Sequence, residues 1–157
     1  MTAARELLRP DYRYCRAVTT RWADNDIYGH VNNAVYYQYF DSVINRYLIE
    51  EGGLDIRGGI VGFIVRSECD FLSPVHYPGE VEVGVAVAAL GRSSVRYAVA
   101  LLRPGEDAPC ARGAMVHVFV DVASGRSVPI PDALRRALQR LTIEPAADPR
   151  RPDSATA

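Results

Sequence analysis

Between Arg21 and Asp41 the chain reads "RWADNDIYGHVNNAVYYQYFD": two aspartates, a glycine, a histidine and an adjacent pair of asparagines ahead of a run of aromatics. A carboxylate can serve as general base or as nucleophile toward an acyl carbon, and Asp24 and Asp26 are both candidates. A helix starting after them presents unpaired backbone N–H groups and a partial positive charge, which polarise a carbonyl or hold an oxyanion. Carboxylate plus oxyanion donor is the minimum set for transferring an acyl group to water. Each residue taken singly also has a structural explanation. "ADND" suits a turn, Asn32 or Asn33 suits a helix N-cap, and a lone His30 suits a structural contact. In an extended segment Asp24 and Asp26 share a face, so alternation does not separate them. No Ser-His-Asp arrangement, P-loop or metal-ligand cluster competes elsewhere, and His30, His76 and His117 stand far apart without metal-type spacing.

The elements that must position this segment follow from periodicity. Tyr12–Trp22 is β-prone and predicts a first strand. Tyr36, Phe40, Val43, Ile44, Tyr47 and Leu48 recur at three- and four-residue intervals, which predicts a helix over Asn33–Glu51 stopped by Gly52–Gly53. Tyr36, Tyr37 and Tyr39 are read as core on this stripe. Period two then takes over. Gly59–Phe71 reads as a strand buried for much of its length, and "SPVHYPG" as a loop. Val81, Val83, Val85 and Val87 alternate on one face of the next strand. Gly91–Ser94 is a short turn before "VRYAVALLR", and Ala114, Val116, Val118 and Val120 share a side of the last strand. Pro131 opens a short terminal helix. Consecutive strands with short turns imply an antiparallel sheet, one face of which a long helix can cover. The expectation is an α+β domain over residues 1–142, with a disordered Pro- and Ala-rich tail at 143–157.

Composition excludes several classes. The 157 residues carry 18 basic and 19 acidic side chains, so net charge supports neither nucleic-acid nor membrane binding. The N-terminal stretch 1–10 has no apolar run of signal-peptide length, and "VAVAAL" at 85–90 is too short to span a bilayer. Cys15, Cys69 and Cys110 are scattered and odd in number, which predicts reduced thiols and a cytoplasmic protein.

The stretch from Thr20 to Asp41, with the strand order, resembles the 4-hydroxybenzoyl-CoA thioesterase-like branch of the hotdog-fold acyl-CoA thioesterases. "DFLSPVHYPGEVEV" and "LGRSSVRY" add weaker support, and the resemblance spans roughly Tyr12 to Asp121. It implies one hotdog domain, a long central helix wrapped by an antiparallel sheet of about five strands. It also implies a homodimer or homotetramer with active sites between paired subunits, needing no cofactor or metal. On this resemblance Asp26 matches the catalytic carboxylate, as general base or nucleophile. Asn33 falls where a helix N-terminal backbone N–H meets the thioester oxygen, and Asp24 supports the loop. His30 and Asn32 belong to a "GHVNN" variant shared with acyl-carrier-protein thioesterases; His30 would position base or substrate and Asn32 would bind substrate. Arg92, Ser93 and Ser94 are the leading candidates for CoA phosphates, against the simpler reading of a hairpin turn; Arg66, Arg96 and Arg112 are alternatives. The implied reaction is hydrolysis of an acyl-CoA, with a carrier-protein thioester as the alternative substrate. A hotdog dehydratase or a non-catalytic acyl-CoA-binding protein are the competing functions.

Overall fold

The computed structural model describes residues 6–143 of the chain. In order it contains β1 (Tyr14–Thr19), α1 (Asn33–Glu50), β2 (Ile60–Phe71), β3 (Glu80–Leu90), β4 (Ser94–Leu102), β5 (Ala111–Asp121) and α2 (Asp132–Arg140), with 3-10 turns at Arg9–Asp11 and Trp22–Asp24. The five strands form one antiparallel sheet in the order β1-β3-β4-β5-β2. This is the α+β architecture the sequence implies, with α1 laid across one face.

The stripe on α1 explains why it lies there. Tyr36, Tyr39, Phe40, Val43, Ile44, Tyr47 and Leu48 are all buried. They pack against Val83, Val85 and Val87 of β3, Tyr97, Val99 and Leu101 of β4, and Met115 and Phe119 of β5. Each such side chain contributes about 1.5–3 kcal/mol on burial, more than enough to override the weak helix propensities of Tyr, Val and Ile. At the C-terminal end Gly53 takes φ +68°, which an L side chain rarely adopts, and the chain leaves the helix there. α2 closes the same side through Leu134, Ala137 and Leu138, and Tyr47 Oη donates to Ala137 O at 2.7 Å.

The opposite face is not bare. The N-terminal segment crosses it, and the Tyr12 ring rests directly on Gly84, where an added Cβ would stand 2.7 Å from Tyr12 Cγ. Tyr12, Ala86, Ala100 and Leu102 form a second small core with Leu7 and Ile143. The C-terminal segment continues the β1 row past its end: Val87 N–H donates to Leu141 O at 2.8 Å and Ile143 N–H to Val87 O at 3.0 Å. Ile143, where the tail is expected to begin, is thus tied to β3; 144–157, the rest of the expected tail, lie outside the described residues.

One expectation fails. β2 is not a buried strand but the edge of the sheet, with Phe63, Ile64 and Val65 at 55%, 42% and 61% exposure in the single chain. A continuous apolar run reports only that both faces are apolar; it carries no information on whether a second neighbour exists in the sheet. A bulge between Ile64 and Arg66 interrupts its register with β5. On β5 the valines and Ala114 noted in the sequence face away from α1, while Met115, His117 and Phe119 face it. No helix among the described residues is long and apolar enough to cross a membrane.

His117 is 1% exposed, with Tyr97 Oη 3.4 Å from its Nδ1 and Gly62 of β2 above the ring. Burial lowers its pKa below the ordinary 6.5, and Asp41 on α1 opposes this only in part. The folded protein therefore holds His117 neutral while the unfolded chain takes up a proton, so this contribution to stability is present above pH 6.5 and lost as the pH falls. Melting temperature should fall between about pH 7.5 and about pH 5.5, and His117→Gln should flatten that slope. Equal slopes in thermal melts of the two proteins would remove His117 as the cause.

Candidate active site

The segment from Thr20 to Asn33 is not an extended strand but a knot of turns whose ties can be followed one by one. Thr20 Oγ1 and its N–H both donate to Gly79 O, at 2.7 and 3.0 Å. The chain then makes the 3-10 turn Trp22–Asp24, which breaks the parity expected of an extended segment and sends the two aspartates to different places. Asp24 turns inward and is 1% exposed. Its Oδ2 accepts the Tyr39 hydroxyl at 2.5 Å and the Arg21 N–H at 2.8 Å, and its Oδ1 accepts Arg21 Nε at 3.0 Å. Burial pushes its pKa up, but the hydrogen bonds from Tyr39 and Arg21 outweigh that and hold the carboxyl below the ordinary carboxylate range. Burial and the neighbouring Asp24 carboxylate together raise the Tyr39 hydroxyl far above its usual value, so it stays a donor.

Asp26 points elsewhere. Its N–H donates to His30 O at 2.9 Å, Gly29 N–H returns to Asp26 O at 3.1 Å, and Tyr28 N–H donates to Asp26 Oδ1 at 2.8 Å. This turn needs Gly29 at φ +83°, a position where a side chain would be strained. One carboxylate oxygen is thereby fixed by a backbone donor, while Oδ2 has no hydrogen-bond partner among the described residues. The loop is registered to the helix cap by Asn32 N–H, which donates to Asp24 O at 2.8 Å, and to the segment between β2 and β3 by Val31 N–H, which donates to Val75 O at 2.8 Å.

α1 begins at Asn33 with Asn32 as N-cap. Asn32 Oδ1 accepts Ala34 N–H at 2.9 Å and Asn32 O accepts Val35 N–H at 2.9 Å. The Asn33 N–H is then the first donor of the helix without an acceptor among the described residues. Asn33 is among the residues lining a hollow of 530 Å³, with Asp26, His30, Asn32, Tyr36 and Phe71 and the 72–74 turn. The Tyr36 and Phe71 rings meet edge to face at 5.0 Å across its floor. Four residues singled out by the sequence, Asp26, His30, Asn32 and Asn33, thus share one cavity. Within it the Asn32 side chain is committed to the helix cap. His30 is joined to Asp26 through its backbone carbonyl, and no hydrogen bond from its ring to Asp26 occurs among the described residues.

Arg92, Ser93 and Ser94 are not part of this cavity within one chain. They occupy the β3–β4 turn at the opposite end of the sheet, where Ser94 is paired with Val118, seven positions along β4 from Leu101 beside Ala111. At about 3.3 Å per residue that end is roughly 23 Å away. Arg92 O accepts Ile130 N–H at 2.9 Å and Arg135 Nη2 at 3.0 Å, so the turn is pinned to α2. Arg96 and Arg112 line a separate 600 Å³ hollow on the face away from α1. Their charge is already met: Arg96 pairs with Glu68 at 2.6 Å and Arg112 with Glu6 at 2.9 Å, while Arg66 reaches Glu68 at 3.0 Å. No three His, Cys, Asp or Glu side chains converge as metal ligands among the described residues.

Sequence reasoning missed Tyr39 as the partner of Asp24 and Asn25 as a clamp. The Asn25 side chain accepts Tyr77 N–H at 3.0 Å and donates to Tyr77 O at 3.4 Å, which fixes the 75–79 loop beside Asp26. Only the fifteen-residue step from Asp24 to Tyr39, across a turn and one and a half helical turns, could have pointed to the first pair. If Asp24 is the fixed point of the loop, Tyr39→Phe leaves a buried carboxylate one donor short and should cost about 1–3 kcal/mol in urea unfolding. An unchanged unfolding midpoint would show that Arg21 alone suffices.

Comparison with known proteins agrees with this architecture. The chain is 50% identical to the PA5185 protein of Pseudomonas aeruginosa strain PAO1, whose crystal structure superposes with TM-score 0.86 over 88% of this chain and 98% of that one. It is 34% identical to a thioesterase of Thermus thermophilus, solved as a complex with coenzyme A and Zn, with TM-score 0.68 over 83% of this chain and 95% of that one. The protein YsmA of Bacillus subtilis (strain 168) is 27% identical over 130 residues, 83% of this chain and 88% of that protein. Residues 20–138, which contain the Asp26 loop, α1 and the four strands β2 to β5, match the thioesterase-like superfamily, and the chain belongs to that family.

Proposed function

We propose that this protein hydrolyses an acyl-CoA thioester to the free acid and CoA, with Asp26 as the catalytic carboxylate and the Asn33 backbone N–H as the donor to the thioester oxygen. The observation that supports the reading is the shared hollow: it is lined both by Asp26, one of whose carboxylate oxygens has no hydrogen-bond partner among the described residues, and by Asn33, the first residue of a capped helix. Family membership supports thioester chemistry, and the CoA held by the Thermus thermophilus relative supports CoA as the thiol half.

With Asp26 as general base, it takes a proton from water while the water oxygen bonds to the acyl carbon. The carbon–sulfur bond breaks as the tetrahedral oxyanion collapses, and the departing thiolate takes up a proton. With Asp26 as nucleophile, its free oxygen bonds to the carbon directly, thiolate leaves, and water then cleaves the mixed anhydride. In both routes negative charge grows on the carbonyl oxygen, and the helix dipole and the Asn33 N–H favour it there. The Asn32 side chain is spent on the helix cap, and at Asn33 this mechanism uses the backbone group and not the side chain.

The working form in this proposal is a cytoplasmic homodimer. Phe63, Ile64 and Val65 expose an apolar sheet edge, which in water favours pairing with another strand. Antiparallel pairing of β2 with β2 about a two-fold axis sets the Phe71 end of one copy against the Ile60 end of the other. The β3–β4 turn belongs to that Ile60 end, since β2, β5 and β4 are in continuous register. Arg92, Ser93 and Ser94 of one copy then stand on the same side of the dimer as the Asp26 hollow of the other, which reconciles them with a role in phosphate recognition.

Purified protein and its Asp26→Asn variant, assayed for thiol release from short, long and aromatic acyl-CoAs, test the assignment. The Asn variant should melt like wild type and lose at least about 100-fold in kcat. Wild type that releases no thiol from any of them would sink the proposal. The donor is tested separately. Asn32 already has ψ 138°, which a following proline accepts, and position 33 is the first helical residue, where proline is tolerated. Asn33→Pro should therefore fold yet lose about 10²–10³-fold in kcat, whereas Asn33→Ala keeps most activity. Equal activity of the two variants would remove the backbone N–H from the mechanism.

A further inference from the structure

Asp26 lies at the tip of a miniature antiparallel ladder. Asn32 N–H donates to Asp24 O, Asp26 N–H donates to His30 O, and between these bonds Asn25 faces Val31 across a single bridge. So short a ladder has little stability of its own and depends on ties to the rest of the fold. At its tip burial supplies little, since Ile27 and Tyr28 are 96% and 81% exposed. We propose that Asn25 is a positioning residue for the reaction: its side-chain amide clamps the Asp26 ladder to the segment leading into β3, and it affects turnover only through Asp26. The role rests on the hydrolysis reading above.

The ladder meets that segment through two kinds of link. Val31 N–H donates to Val75 O at 2.8 Å, an ordinary backbone bond. The other link is made by a side chain. Asn25 Oδ1 accepts Tyr77 N–H at 3.0 Å, and its Nδ2 donates to Tyr77 O at 3.4 Å. The same Nδ2 stands 3.5 Å from Gly29 O, on the returning arm of the Asp26 turn. One amide therefore touches both the neighbouring segment and the far side of the turn.

An amide is the group this place calls for. It presents an acceptor and a donor side by side, as a peptide group does, and so serves both polar groups of Tyr77 at once. An ionised aspartate of the same size would accept but not donate. With its polar atoms engaged on Tyr77, Asn25 takes no part in the chemistry itself. Slack at Asn25 passes directly to its neighbour, the carboxylate that must meet the acyl carbon. A misplacement of about 1 Å between reacting groups costs on the order of 100-fold in rate. Loosening the clamp should register in turnover far more than in substrate affinity.

A cycle of four proteins tests this: wild type, Asn25→Ala, Asp26→Asn and the double variant, assayed for kcat and KM on the acyl-CoA that wild type turns over best. Asn25→Ala should lower kcat about 10- to 100-fold and leave KM within about threefold. In the Asp26→Asn background it should change the residual kcat by less than about twofold, because no carboxylate remains to be misplaced. The same fold-loss in both backgrounds overturns the inference, as does an unchanged kcat or a loss confined to KM. Amide exchange followed by NMR supplies a readout independent of turnover. The Asp26 N–H, bonded to His30 O, should exchange about three- to tenfold faster in Asn25→Ala, with the sheet amides unchanged. Wild type that releases no thiol sinks the hydrolysis reading. Exchange then decides the clamp, a faster rate upholding Asn25 as the tie that orders the Asp26 loop and an unchanged rate overturning it. If thermal melts show that the alanine variant does not fold, Asn25→Asp, which keeps the size and the acceptor, takes its place in the cycle with the same expectations.

Discussion

Asp24 is a carboxylate buried beneath the loop that carries the proposed catalytic group, and most of the local geometry traces back to how it is satisfied. An ionised carboxylate at 1% exposure is costly unless every oxygen is met. Tyr39 from the second turn of α1 and Arg21 from the loop itself meet it. The carboxylate therefore fastens loop to helix, and its own backbone carbonyl takes the N–H of the helix cap residue Asn32. Two residues further along, Asp26 is tied into the same loop by its backbone bonds to His30 and Gly29. The separation of roles between the two aspartates follows from one 3-10 turn, which rotates Asp24 into the core and Asp26 into the cavity.

The rest of the fold serves this junction at longer range. The stripe from Tyr36 to Leu48 seats α1 on the sheet and so determines where its first N–H points. Asn25 and Thr20 fasten the loop to the 75–79 segment leading into β3. Two hollows result, both lined by Asp26: one toward the helix start, one toward Trp22 and Tyr77. The same sheet ends at β2, the strand that contributes Phe71 to the cavity and that carries exposed apolar side chains in the single chain.

Much of this was legible in the chain before any coordinate. The period-three-and-four stripe placed α1 to within a residue of its end, and strict alternation placed β3, β4 and β5, because burial of one face imposes those periods directly. The grouping of Asp26, His30, Asn32 and Asn33 was legible for a different reason: a turn followed by a helix cap keeps neighbours in sequence close in space. Where contacts are distant in sequence, the reading ran out. Tyr39 was read as core, and it is buried as expected, but that its hydroxyl serves Asp24 required the helix to be in place. The apolar run of β2 was read as buried, whereas sheet order makes it an edge.

What the sequence by itself determined, then, is the local chemistry: a carboxylate, a cap and a helix start within eight residues, and the secondary structure that periodicity dictates. Tertiary structure decided which aspartate is buried and which is free. It also decided that Arg92, Ser93 and Ser94 lie at the far end of the same chain, and that Trp22, Ile27 and Tyr77 gather beside Asp26. Those outcomes depend on strand order and on one turn of backbone, and neither is encoded in the spacing of residues along the chain. Both are fixed only when the buried surfaces of helix and sheet select a single way to pack.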